Sequence, residues 1–167
     1  FRILIGVIIL AIVIYAGILI YQQYLIRRLK GIDQKREELT IDELGDSVDQ
    51  VRAMSLTGKT LKDVEQLATD FGDLKENRLP RLKQQVNDAI NSAKQYRVLT
   101  AQQEAKKASA SLEVAQQAFK QVEDRVAELK QIDAQHKQAV KTLESRYQSL
   151  RKTLLAKNFM YGDAIDV

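Results

Sequence analysis

The sequence predicts an all-α protein, with an N-terminal membrane-spanning helix followed by an elongated bundle of three antiparallel helices. Three observations carry that expectation. The composition changes sharply at residue 26, apolar before it and charged after it. From Arg27 onward the apolar residues recur at three-and-four spacing, with no run of two-residue alternation and no hairpin dipeptide such as Asn-Gly. The remaining 141 residues contain only Gly31, Gly45, Gly58, Gly72, Gly162 and Pro80 as punctuation, so their helices must be long.

Averaged over 167 residues the chain is mildly basic, with a net charge of +4 and 45% hydrophobic residues, and the averages hide the division. Residues 1–26 hold 21 apolar side chains and no acid, whereas apolar residues make up 38% of the rest. The second part carries 25 basic against 22 acidic side chains, a net of +3, too balanced for an obligate nucleic-acid binder. With no cysteine, one histidine and no tryptophan, thiol nucleophiles, zinc ribbons and most histidine-centred sites are excluded. The composition argues against an enzyme, and neither a cofactor nor a small-molecule substrate is expected.

The first element runs from Ile3 to Ile26, 24 residues without a charge, and includes Tyr15 and Ile20. About 20 apolar residues cross the ~30 Å hydrocarbon core, so the stretch is long enough to span with some tilt. Tyr21 and Tyr24 fall near its exit, at the depth aromatic rings favour. A lone Arg2 precedes the segment and Arg27, Arg28, Lys30, Lys35 and Arg36 follow it, an asymmetry that places residues 1–2 outside and the rest in the cytoplasm. The stretch is too long for a cleaved signal peptide, and no small-x-small cleavage site precedes the basic cluster. Residues 27–40 form a juxtamembrane helix, where Arg27, Arg28 and Lys30 face anionic lipid while Glu37 and Glu38 limit the reach of the charge.

Residues 41–167 are expected to form the helical repeat. Gly58 can close one helix in the left-handed conformation, and Thr60, with Asp63 three residues on, can cap the next. Thr100 with Gln103 marks a second turn, and Thr40 with Glu43 a lesser break near Leu39. Between the turns, Leu61, Val64, Phe71 and Leu74 follow a different phase from Leu79, Leu82, Val86, Ala89, Ala93 and Tyr96, so the stripe shifts around Pro80 and a bend is expected there. A single heptad register then runs from Leu112 to Leu154, interrupted only by Asp133 and His136. At 1.5 Å per residue the helices over 60–96 and 101–156 span ~56 and ~84 Å, so the last overhangs its partner and asks for a further element. Straight pairing about Gly58 would put residue 98 opposite residue 19, inside the membrane; a bend near Leu39 to Gly45, near Pro80, or at both is therefore expected. The chain ends while still apolar every few residues and does not start with Met, as a piece of a longer protein would.

Other candidate sites weigh little. Gly58-Lys59-Thr60 matches the tail of a phosphate-binding loop, but the glycine needed five places earlier is Ala53, on a helix. His136 lies one turn from Asp133, a spacing open to a metal pair or pH switch but better explained as a polar notch in the register, and no second histidine exists. Lys106-Lys107 and Arg151-Lys152 sit on helices that also carry acids, which describes a solvated face.

The order of these features resembles the N-terminal part of the EzrA family, the septation ring formation regulators of low-GC Gram-positive bacteria. The resemblance rests on the leading span, Leu56-Thr57-Gly58-Lys59-Thr60, the Leu79-Pro80 bend, Tyr96-Arg97 at the hairpin, Arg146-Tyr147, Arg151-Lys152-Thr153-Leu154-Leu155-Ala156 and Tyr161-Gly162. It implies a non-enzymatic protein whose cytoplasmic, spectrin-like triple-helix repeats form an arch on the membrane. It further implies binding to the tubulin-like division protein FtsZ, restraint of FtsZ ring assembly, contact with other division proteins, and location at the septum. Members of the family are several times longer, and the polar patch near their C-terminus has no counterpart here. The matched residues read as fold determinants, so no binding residue is carried over. A membrane-tethered coiled-coil signalling or tethering protein, dimerising through parallel long helices, is the alternative that heptads alone leave open.

Overall fold

The computed structural model describes residues 2–54 and 59–162, with side chains over 5–54 and 60–157. Helix α1 (Arg2–Glu37) has 36 residues, α2 (Ile41–Arg52) 12, α3 (Lys59–Asp73) 15, α4 (Leu79–Lys94) 16 and α5 (Val98–Gly162) 65. One turn of π-helix, Leu74–Arg78, joins α3 to α4. No strand occurs among the described residues, as the periodicity requires. The helices pack as three legs: α1 with α2, α3 with α4, and α5, where α1 lies against α4 and α5 while α2 lies against α3 and α5.

Helix α1 runs through residue 26 without interruption. Its uncharged part leads directly into Leu25, Leu29 and Ile32, buried at the i, i+4, i+7 spacing of a single helical face. The helix ends where Leu39 N–H donates to Arg36 O at 3.2 Å, a tightened last turn. Thr40 is the N-cap of α2, although its side chain makes no capping bond. Asp42 and Glu43 supply negative charge in the first turn, where the helix dipole favours it. Leu44, Val48 and Val51 then continue the core in α2. The turn expected at Gly58 lies outside the described residues, and Thr60 is the second residue of α3.

The stripe shift around Pro80 has a structural cause. From Leu67 the inward residues are Leu67, Phe71, Leu74, Leu79, Leu82, Val86, Ala89 and Ala93, spaced by three and four except for the five residues from Leu74 to Leu79. That wider step is the π-turn, closed by Leu79 N–H donating to Leu74 O. Pro80 lacks the donor an α-helix would use and crowds the preceding carbonyl, so widening the turn ahead of it accommodates both defects. Asp73 fastens the turn, accepting from Asn77 Nδ2 at 3.0 Å and from Arg78 Nε at 2.6 Å. These two donors, Asn77 first, hold its carboxyl below the usual aspartate range.

The α4–α5 turn is shorter than the sequence suggested. Tyr96 takes φ 61°, Tyr96 N–H donates to Ala93 O at 3.1 Å and Arg97 N–H donates to Ser92 O at 3.0 Å. This is the bond pair of a Schellman ending, with tyrosine at the position glycine usually occupies. The chain reverses over Gln95–Arg97 and α5 begins at Val98, so Thr100 is the third residue of a helix already started and does not cap it. Ala101 N–H already bonds Arg97 O at 2.9 Å.

The expected avoidance of residue 19 by the hairpin does not occur. The chain breaks near Leu39 and widens before Pro80, yet Leu25 packs with Ala93 and Ala101, and Tyr21 lies beside Val98. The antiparallel register of straight pairing is kept. Alanines make this possible: Ala89, Ala93, Ala101, Ala105 and Ala108 are all buried and let the three helices approach closely to the end of the bundle. Farther along, the seam in α5 becomes Leu112, Ala115, Val122, Val126 and Leu129, with Phe119 partly buried, as the heptads predict.

Three predictions come from this packing. Leu29→Ala, on the helix that carries the uncharged stretch, should destabilise the bundle by about 2–5 kcal/mol through the cavity it leaves. Urea unfolding of the detergent-solubilised chain, followed by circular dichroism, measures it. A methyl group added at Gly72 would point into open space, so Gly72→Ala should raise stability by about 0.5–1 kcal/mol through helix propensity. A Cβ on Gly45 meets the Phe71 ring at 3.2 Å, so Gly45→Ala should gain less in the same titration.

Candidate functional site

The described residues include no group of three His, Cys, Asp or Glu that could hold a metal. His136 is exposed, and Asp133 pairs with Lys137 Nζ at 2.7 Å instead of with the imidazole. Asp133 is half-buried at the last turn that α5 shares with the bundle, beside Ile132, and His136 lies just beyond it. From Ala134 to Lys157 every side chain on α5 is exposed, including Val140, Leu143, Tyr147, Leu150 and Leu154. The heptad register thus continues beyond the residues that cover it. Lys106, Lys107, Arg151 and Lys152 are exposed, as a solvated face requires.

The distinctive chemistry lies at the opposite end. Helix α1 is long and apolar enough to cross a membrane. Tyr15, Ile20 and Tyr24 are exposed along it, Ile26 is half-buried, and Ile3 lies before the described side chains. Tyr21 and Tyr24 stack loosely, with ring centroids 6.2 Å apart. The α4–α5 turn meets this helix, enclosing an open groove of about 760 Å³ between Ile14–Tyr21 and Tyr96–Thr100. At the rim Leu99 is 78% exposed and Tyr96 54% exposed, whereas Val98 turns into the core beside Leu25.

The charges at this end are of one sign. Arg27, Arg28, Lys30, Lys94 and Arg97 are exposed, and none of them forms an ion pair among the described residues. Moving from the turn into the bundle, the first acids are Asp33 on α1, Asp88 on α4 and Glu104 on α5. Arg36, by contrast, is neutralised by Asp33 at 2.9 Å and Glu37 at 3.2 Å. The basic group picked out by sequence is therefore divided: its first members remain open to an anion, and Arg36 serves the fold. Pro80 sits behind the π-turn and Thr60 inside α3, so these two shape the legs away from the groove, whereas Thr100, inside α5, lines it.

Sequence reasoning found Arg27, Arg28 and Lys30 but missed Lys94, Arg97 and Leu99 at the same end of the bundle. The alanine seam was the available signal, since small residues at three-and-four spacing on two successive helices mark close approach as surely as leucines do.

Comparison with known proteins agrees in extent with this architecture. The family model described as "Septation ring formation regulator, EzrA" matches residues 3–167. A septation ring formation regulator EzrA from Lactiplantibacillus plantarum is 32% identical over 165 residues, covering 99% of this chain and 29% of the relative. Proteins of the same name from Bacillus licheniformis and a Geobacillus species are 19% and 22% identical over 95% and 93% of the chain, and 28% of each relative is covered. The chain thus spans less than a third of the length of these relatives. No solved structure matches it. With the family model covering the apolar helix, the π-turned leg and the long third helix together, the chain belongs to the EzrA family of septation ring formation regulators.

Proposed function

We propose that this chain is part of a membrane-anchored cytoplasmic scaffold and negative regulator of FtsZ ring assembly in bacterial cell division. The observation that carries the reading is the continuity of α1. One unbroken helix holds both an uncharged stretch of spanning length and three core residues of the bundle, so an anchor there would hold the bundle directly at the membrane. Family membership supports the division role, and the relatives' printed name supports regulation of the septation ring. The cations support the orientation: Arg27, Arg28 and Lys30 directly follow the uncharged stretch, which favours a cytoplasmic bundle, concentrated at the septum when its division partners assemble there.

Contact with FtsZ and other division proteins falls to exposed helix faces. A second reading has one observation in its favour. The uncovered stripe from Val140 to Leu154 could pair with a second copy in parallel, making the protein a coiled-coil tether.

The test uses the whole chain in nanodiscs, because a soluble piece begun at Lys30 would lose Leu25 and Leu29 from the core. Added to polymerising FtsZ, it should lower light scattering relative to empty nanodiscs. Failure of this chain would confine the activity to other parts of the longer protein, and failure of the full-length protein would sink the reading. A parallel dimer in sedimentation would favour the tether. A reporter fused after residue 40 should be cytoplasmic.

A further inference from the structure

We infer that the α4–α5 turn is a second membrane contact, in which Tyr96 and Leu99 enter the cytoplasmic leaflet beside α1 and Arg97 and Lys94 hold anionic phospholipid headgroups. The inference rests on the proposed spanning role of α1 and goes beyond it. Its occupant is specified by continuity: one wall of the groove is α1 itself, from Ile14 to Tyr21, so lipid that surrounds a spanning α1 meets Tyr96–Thr100 next.

Three independent features of the turn fit an interfacial site. Leu99 and Tyr96 project from the bundle's end while Val98 between them turns inward, an apolar and aromatic pair left outside a core that was available. Tyr96 holds φ 61°, where a bulky side chain is strained and glycine would be relaxed, so the aromatic ring is kept against a backbone cost. The charges nearest the turn, Arg27, Lys94 and Arg97, are all positive and unpaired among the described residues, and the first acids, Glu104 and Asp88, come only at the level of Arg28 and Lys30. Each cation near an anionic leaflet adds roughly 1 kcal/mol of attraction, and tyrosine is at home at the headgroup level.

Depth sharpens the inference. The turn lies alongside Ile18, eight residues or ~12 Å before the end of the uncharged stretch at Ile26. A polar turn carrying Arg97 cannot sit that far inside hydrocarbon, because unsatisfied backbone groups and a charge are both costly there. The hydrocarbon boundary therefore falls at the level of the turn, between Ile18 and Tyr21, with Tyr96 and Leu99 below it and Arg97 above, and the span is Ile3 to Ile18–Ile20, ~24–27 Å of helix. Residues 21–26 then belong to the interface and the bundle, consistent with the burial of Leu25 at 2% exposure. Two attachments, one spanning and one interfacial, would fix the tilt of the bundle on the membrane instead of leaving it to swivel about a single helix.

The chain has no cysteine, so single labels are clean. Leu99→Cys, Ile12→Cys and Ser149→Cys, each carrying an environment-sensitive fluorophore, are placed in nanodiscs of phosphatidylglycerol and phosphatidylcholine with a lipid-borne nitroxide quencher. All three sites are exposed, and circular dichroism confirms that helicity is unchanged. The expected result is quenching at residue 12 and residue 99, several-fold above residue 149, with Arg97→Glu/Lys94→Glu reducing it at 99 and leaving it unchanged at 12. Quenching at 12 with residue 99 matching residue 149 would overturn the second contact and leave the span intact. No quenching at 12 would remove the span and the contact with it. Disulfide cross-linking between unlabelled Leu99→Cys copies, with no lipid quenching of the label, would assign the turn to a second copy and overturn the lipid contact.

Discussion

The structure depends on one face of α1. Leu25, Leu29 and Ile32 are buried against α4 and α5, and they sit on the same unbroken helix as the uncharged stretch. Because a helix is stiff over a few turns, that packing fixes where the bundle stands relative to every residue upstream. Tyr21 reaches Val98, and the α4–α5 turn arrives at Ile14–Tyr21. Had α1 ended at Arg27 and a flexible linker followed, the same bundle would carry no information about its distance from an anchor.

Keeping the legs in register along this length requires two local departures from regular helix. The break at Glu38–Thr40 lets α2 turn its own stripe, Leu44, Val48 and Val51, inward after α1 ends. On the opposing leg the π-turn inserts one residue at Leu74–Arg78, and the stripe resumes at Leu79 and Leu82 without leaving the core. Both occur where the three-and-four spacing fails. Each converts a mismatch between helical period and hydrophobic spacing into a defect of one turn, fastened at the π-turn by Asp73 with Asn77 and Arg78.

The two ends of the bundle differ in chemistry. Toward the α1 apolar stretch the seam is alanine, the helices are close, and the exposed charges are cations. At the far end α5 continues past the other described residues with its stripe from Val140 to Leu154 uncovered, and polar contacts between legs are exposed, such as Arg125 with Asp63 at 3.0 Å. Exposed pairs of that kind contribute little, so burial of the seam dominates the stability of the described bundle.

The all-α class, the spanning-length apolar stretch, the stripe shift at Pro80 and the heptads of α5 were all legible in the sequence, because each is a local pattern of side-chain type at helical spacing. The α4–α5 turn was legible only roughly. Thr100 and Gln103 match a capping pattern, but the turn is made by a left-handed Tyr96, a conformation that nothing in its residue type announces. What the tertiary structure decided was that Tyr96–Thr100 does meet Ile14–Tyr21, the outcome of straight pairing that the sequence reading expected a bend to avoid. Two segments some eighty residues apart are brought together by the sum of many small packing choices, above all the alanines at 93 and 101 around Leu25. Spacing tells which face of a helix is buried; only packing tells how far along its neighbour that face begins.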